Sequence, residues 1–132
     1  MAMKARSPLR CLPLLVVASL VHSTAASPKP SRHTITFTFS YDFSVTPACS
    51  SAIKEKCVQQ FNFYDISPGI YNRVKLGSIP TPANATGFVK EITGTTKPFL
   101  FTSGKHMVAV SAQKPDGSES DLSQCTRIIK IH

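Results

Sequence analysis

Three groups of residues in this 132-residue chain are of types that could do chemistry. The first is the cysteines. Cys49 and Cys57 flank one short polar segment, and closing so near a loop is geometrically easy, so this pair is the favoured disulfide. Joining Cys125 to either of them is the competing pairing. The second group is Asp116, Glu119 and Asp121, three carboxylates within six residues. Clustered oxygens suit calcium, but neither the EF-hand spacing nor its closing Glu is present, which favours a solvated hairpin loop. The third is His33, His106 and His132, which lack the convergent spacing of a metal site and read as structural or surface residues. Around Cys125 nothing supplies the His partner that a thiolate nucleophile needs. No Gly-x-Ser-x-Gly turn occurs either. The expectation is therefore no enzyme, no metal and no cofactor. One further motif, Asn84-Ala85-Thr86, is an acceptor sequence for an N-linked glycan.

The elements that position these residues start after a leader. Lys4, Arg6 and Arg10 make a basic start, residues 11–21 an apolar run, and Ser23-Thr24-Ala25-Ala26 a small-residue stretch. That is the layout of a secretory signal, with too few apolar residues to span a bilayer. The expected division is a signal over residues 1–25, a proline-bearing leader over 26–33 and one domain over 34–132, secreted or periplasmic. Cleavage leaves three cysteines, so Cys125 is expected to be a free or alternatively paired thiol. It also removes three of fifteen basic residues, leaving twelve against seven acidic ones, a net charge of +5. These charges are scattered, without a basic block or a nucleic-acid-binding motif, so nucleic acid is not the expected partner.

Residues 35–45 alternate Ile, Phe, Phe, Tyr, Phe and Val with Thr, Thr, Ser, Asp and Ser. A period of two over eleven residues predicts a strand with one buried and one wet face. Residues 58–66 place apolar side chains on both faces, which predicts a central strand covered on both sides. Further strands are expected at 71–79, 88–92, 98–102, 106–113 and 126–131, with turns at Ser67-Pro68-Gly69, at residues 93–96 and at Lys114-Pro115-Asp116-Gly117. A helical turn is expected at 51–56. About seven short strands at ten-residue spacing predict an antiparallel two-sheet sandwich.

Residues 105–131 resemble the end of a fibronectin type III-like or Ig-like domain. The matching segments are Met107-Val108-Ala109-Val110-Ser111-Ala112, then Pro115-Asp116-Gly117-Ser118-Glu119-Ser120, then Ile128-Ile129-Lys130-Ile131. The chain departs from that family in having His106 at a customary Tyr and no Trp. The resemblance implies adhesion, spacing or partner binding, with loops gathered at one end of the sandwich as the recognition surface. Those loops would present Lys54, Glu55, Lys56, Asp116, Glu119 and Asp121. The expected function is a monomeric, non-enzymatic interaction module for a protein or cell-surface or polysaccharide partner. A carbohydrate-associated module, with Tyr71 and Phe88 as an aromatic platform, and a purely structural secreted domain are the alternatives. Phe88 is read more readily as a core residue.

Overall fold

The computed structural model describes residues 9–11, 17–20, 31–122 and 125–131. The remainder of the expected signal, residues 26–30 of the leader, and His132 lie outside them. Nine strands are described: β1 (Leu9–Cys11), β2 (Val17–Leu20), β3 (Ser31–Asp42), β4 (Gln60–Asp65), β5 (Val74–Pro80), β6 (Phe88–Thr95), β7 (Phe99–Phe101), β8 (Gly104–Gln113) and β9 (Thr126–Ile131). They form two antiparallel sheets. In one, β3 is flanked on one side by β6 and β7 and on the other by β1 and β2. The other has the order β5-β4-β8-β9. The expected all-β sandwich is what the chain forms, and the seven strands from β3 onward correspond to the seven expected ones.

The core follows from the alternation in β3. Ile35, Phe37, Phe39 and Tyr41 are all buried and face Phe61 and Phe63 of β4. Phe37 stacks on Phe63 with ring centroids 4.5 Å apart, and Phe39 and Tyr41 meet Phe61 edge-on. Each such ring removed from water contributes about 1.5–3 kcal/mol before ordering costs. β4 is the buried central strand that its two apolar faces predicted: Phe61 and Phe63 enter the main core, while Tyr64 and Ile66 form a second cluster with Ala109 and Leu122.

Several boundaries differ from expectation, each for a local reason. β3 begins at Ser31, three residues before Thr34, because residues 31–33 pair with β7. It stops at Asp42, where the carboxylate accepts hydrogen bonds from the Ser44 backbone N–H (3.0 Å) and hydroxyl and turns the chain. Residues 70–72 form a 3-10 turn, so β5 starts at Val74. Residues 93–95 continue β6 and are not a turn. Gly94 is there because Phe63 and Ile79 press against its backbone, where a Cβ would lie 2.7 Å from Phe63 Cζ. Residues 51–56 bend without forming the expected helical turn.

The expected signal region contributes two strands. Leu9-Arg10-Cys11 pairs with Tyr41-Ser40-Phe39, and residues 17–20 pair with 36–33. Leu9 is 1% exposed, inside the main core. No described helix is long and apolar enough to cross a membrane.

Candidate functional site

The β3–β4 connection, the β8–β9 connection and the β5–β6 connection all emerge at one end of the sandwich, since Gln60 pairs with both Pro80 and Gln113. Two of them enclose a cleft of about 850 Å³ lined by Val45, Thr46, Lys54, Glu55, Lys56, Lys114, Pro115 and Asp116. Four of the six predicted loop residues (Lys54, Glu55, Lys56 and Asp116) therefore converge although sixty positions separate the two loops. Lys114 joins them and was missed, because its charge reads as ordinary turn solvation until the other loop is placed opposite.

Both walls of the cleft are held by backbone contacts. Cys49 and Cys57 form a disulfide with Cα atoms 4.9 Å apart. Beside it, Cys49 N–H donates to Val58 C=O at 2.9 Å and Val58 N–H to Pro47 C=O at 2.8 Å. Ser50 Oγ accepts from the N–H groups of Ala52 and Ile53. Lys56 stands at φ 51°, in the left-handed region. On the other wall Asp116 Oδ1 accepts from Ser118 N–H (2.8 Å) and Ser118 Oγ (2.6 Å), and Ser118 C=O accepts from Lys114 N–H. The Ser118 hydrogen bonds hold the Asp116 carboxyl below the usual aspartate range. Asp116 stays ionised, and the Lys114 charge also favours its carboxylate form. Three lysines and two carboxylates, Glu55 and Asp116, line the cleft, a net excess of one positive charge that favours an anionic occupant.

Cys125 is also disulfide-bonded, and no cysteine among the described residues is free. In the full chain the expected odd thiol does not exist. Because Cys49 and Cys57 take each other, the competing pairings of Cys125 with either are excluded.

Glu119 and Asp121 do not join the cleft. Asp121 is exposed beyond it. Glu119 folds back over the outer face of the second sheet, where Oε1 accepts from Asn62 Nδ2 (2.8 Å), Tyr64 OH (2.6 Å) and Ser111 Oγ (2.6 Å). Arg73 lies 3.5 Å from Oε2, with its guanidinium 5.1 Å from the Tyr64 ring centre. Asn62 Nδ2 also donates to Gln113 Oε1, and Gln60 Nε2 donates to Asn62 Oδ1. The expected solvated hairpin loop is therefore pinned: Ser120 N–H donates to Ala112 C=O, and Leu122 covers Tyr64, Ile66 and Ala109.

The same contacts push the Tyr64 phenol up to about 12, first through burial and then through the hydrogen bond and charge of Glu119. Its folded value lies above its ordinary 10.0, so the stability it contributes is complete below pH 10 and is lost as pH rises toward 12. Ultraviolet titration of wild type and Tyr64→Phe should therefore differ by one tyrosinate forming near pH 12. A difference appearing at pH 10 would contradict this.

The other singled-out residues fall elsewhere. His106 is buried, with Nε2 2.7 Å from Thr102 C=O and Nδ1 2.8 Å from Asp65 Oδ2. The carbonyl can only accept, so Nε2 is the donor in that contact. His106 thus ties β8 to β4 as a structural residue. Asn84 is exposed at φ 58°, on the far flank of the disulfide loop, where a smaller hollow of about 310 Å³ includes Phe43, Ile53 and Ala85. Phe88 is 59% exposed and not a core residue, while Tyr71 is 97% exposed. Phe88 opposes Asp42 at the cleft end, and Tyr71 follows β4 at the opposite end, so the two form no common platform. Among the described residues no three His, Cys, Asp or Glu side chains are grouped to hold a metal ion.

Comparison with family models, characterised proteins and solved structures finds no match to this chain.

Proposed function

We propose that the chain is an exported, non-enzymatic interaction module that takes an anionic protein or cell-surface partner into the end cleft. The observation that carries this reading is the convergence of Lys54, Lys56 and Lys114 from two loops on one cleft. A disulfide-braced wall opposite a tight Asx turn gives those lysines a fixed frame, and loops at a sandwich end commonly serve recognition. Export is supported by the leader's basic, apolar and small-residue order and by the disulfides. The order β5-β4-β8-β9 against β3 and β6 is compatible with the finer fibronectin type III-like reading.

Retention on immobilised dextran sulfate, a polyanion probe, tests the cleft. The triple variant Lys54→Gln, Lys56→Gln, Lys114→Gln should elute at clearly lower salt than wild type, with unfolding free energy unchanged within about 0.5 kcal/mol. Lys90, Lys97 and Lys105 are exposed residues outside the cleft lining, and their triple Gln variant removes the same charge. Equal elution of the two triple variants would sink the proposal.

A further inference from the structure

The edge strands β5, β6 and β9 carry features that oppose strand addition. β5 has Lys75 and ends at Pro80, β6 has Lys90 and Glu91, and β9 has Arg127 and Lys130. Charges and proline are the usual means of keeping an edge from pairing with another chain. β7, at three residues, is too short to need them.

β3 differs. Over residues 33–41 it reads His-Thr-Ile-Thr-Phe-Thr-Phe-Ser-Tyr, without Lys, Arg, Asp, Glu, Pro or Gly. Its inward row is Ile35, Phe37, Phe39 and Tyr41, and the alternate row is Thr34, Thr36, Thr38 and Ser40. High β-propensity and no net charge make this the segment most prone to pair. In the full chain its outer edge is occupied, at residues 33–36 by β2 and at 39–41 by β1. Both covering strands lie inside residues 1–25, the expected signal that export would remove. The edge left behind is one that the sequence does nothing to protect.

We propose that, once residues 1–25 leave, this edge pairs with the same edge of a second copy of the chain. The inference rests on the export reading. Antiparallel pairing of two identical strands is two-fold symmetric and closed, so it ends at a dimer. It continues the sheet across the pair, and it restores the N–H and C=O partners that β1 and β2 supplied. A charged side chain placed in the alternate row meets its symmetry mate across the new junction and opposes pairing.

The test is to express the full chain, recover the exported protein, read its N-terminus by mass spectrometry and measure its mass in solution by sedimentation. Non-reducing electrophoresis distinguishes a disulfide-linked dimer from a non-covalent one. The expected result is a processed dimer, a Thr36→Val variant that stays dimeric, and a Thr36→Lys variant whose dimer dissociates at least tenfold more readily. Thr34→Lys serves the same purpose if Thr36→Lys does not fold. A processed monomer overturns the inference and leaves the export reading standing, as does a dimer indifferent to both lysine variants. A protein recovered unprocessed overturns both.

Discussion

Glu119→Ala should cost about 3 kcal/mol of stability, more than any other single change at a polar residue described here. The carboxylate is the common acceptor of Asn62, Tyr64 and Ser111, and two of those donors, Asn62 and Ser111, are fully buried. Removing the acceptor takes the partner from the Ser111 and Tyr64 hydroxyls, while Asn62 Nδ2 keeps Gln113 Oε1, so the penalty is that of hydrogen bonds unmade in a part-buried site. Glu119→Gln keeps the shape and one acceptor oxygen and should cost about half as much.

The pH dependence separates this account from simple loss of packing. Burial pushes the Glu119 carboxyl upward, but the hydrogen bonds from Ser111, Tyr64 and Asn62 and the Arg73 charge outweigh it, and the net displacement is below the ordinary 4.5. The folded state then binds the proton less readily than the unfolded state. The contribution is complete above pH 4.5 and fades as pH falls below it. Urea unfolding of wild type and Glu119→Ala should therefore differ most at neutral pH and converge in acid. A gap that stays constant from pH 7 to pH 3 would show that the carboxylate charge is irrelevant. The variant should also weaken binding of a polyanion, because residues 114–118 lose their anchor to the sheet.

A second large effect is expected at Gly94, where Gly94→Ala should destabilise by about 2 kcal/mol although alanine is the better strand residue. The added Cβ would lie 2.7 Å from Phe63 Cζ, 2.9 Å from Phe63 Cε2 and 2.9 Å from Ile79 Cγ2. The ring cannot withdraw, since Phe37 stacks on one side of it and Phe39 meets it edge-on. Phe63→Leu should relieve the ring's share of the clash, leaving the contact with Ile79 Cγ2. In a double-mutant cycle the pair should couple favourably by at least about 1 kcal/mol. Additive costs would show that the close approach at Gly94 is not what requires glycine.

Gly94 also shows where reading the chain alone fell short. Thr-Gly-Thr-Thr has the composition of a turn, and only the arrival of β4 across the sandwich makes the glycine a packing residue within a strand. The Asp116–Asp121 segment behaves similarly. Its polar composition suggested solvent, while Asn62 and Ser111, more than fifty and eight positions away from Glu119 respectively, gave it a buried destination. A signal was present, since Tyr64 and Ile66 on the second face of β4 required a cover. It did not say which segment supplied one.

Residues 1–25, whose charge and apolar order are those expected of an export signal, also supply β1 and β2 to the first sheet. Under the proposed export, cleavage would take those two strands away.

What the sequence by itself determined is local. Period-two alternation along residues 35–41 follows from the pleat, turns follow from Pro, Asp and Gly stereochemistry, and the Cys49–Cys57 bridge follows from a short loop. Each depends on residues within reach of one another along the chain. The lysine cleft, the Glu119 anchor, the role of Gly94 and the covering of the β3 edge were decided by tertiary structure. Each depends on which strands become neighbours, a matter settled by how the two apolar faces fill one core and not by any segment alone.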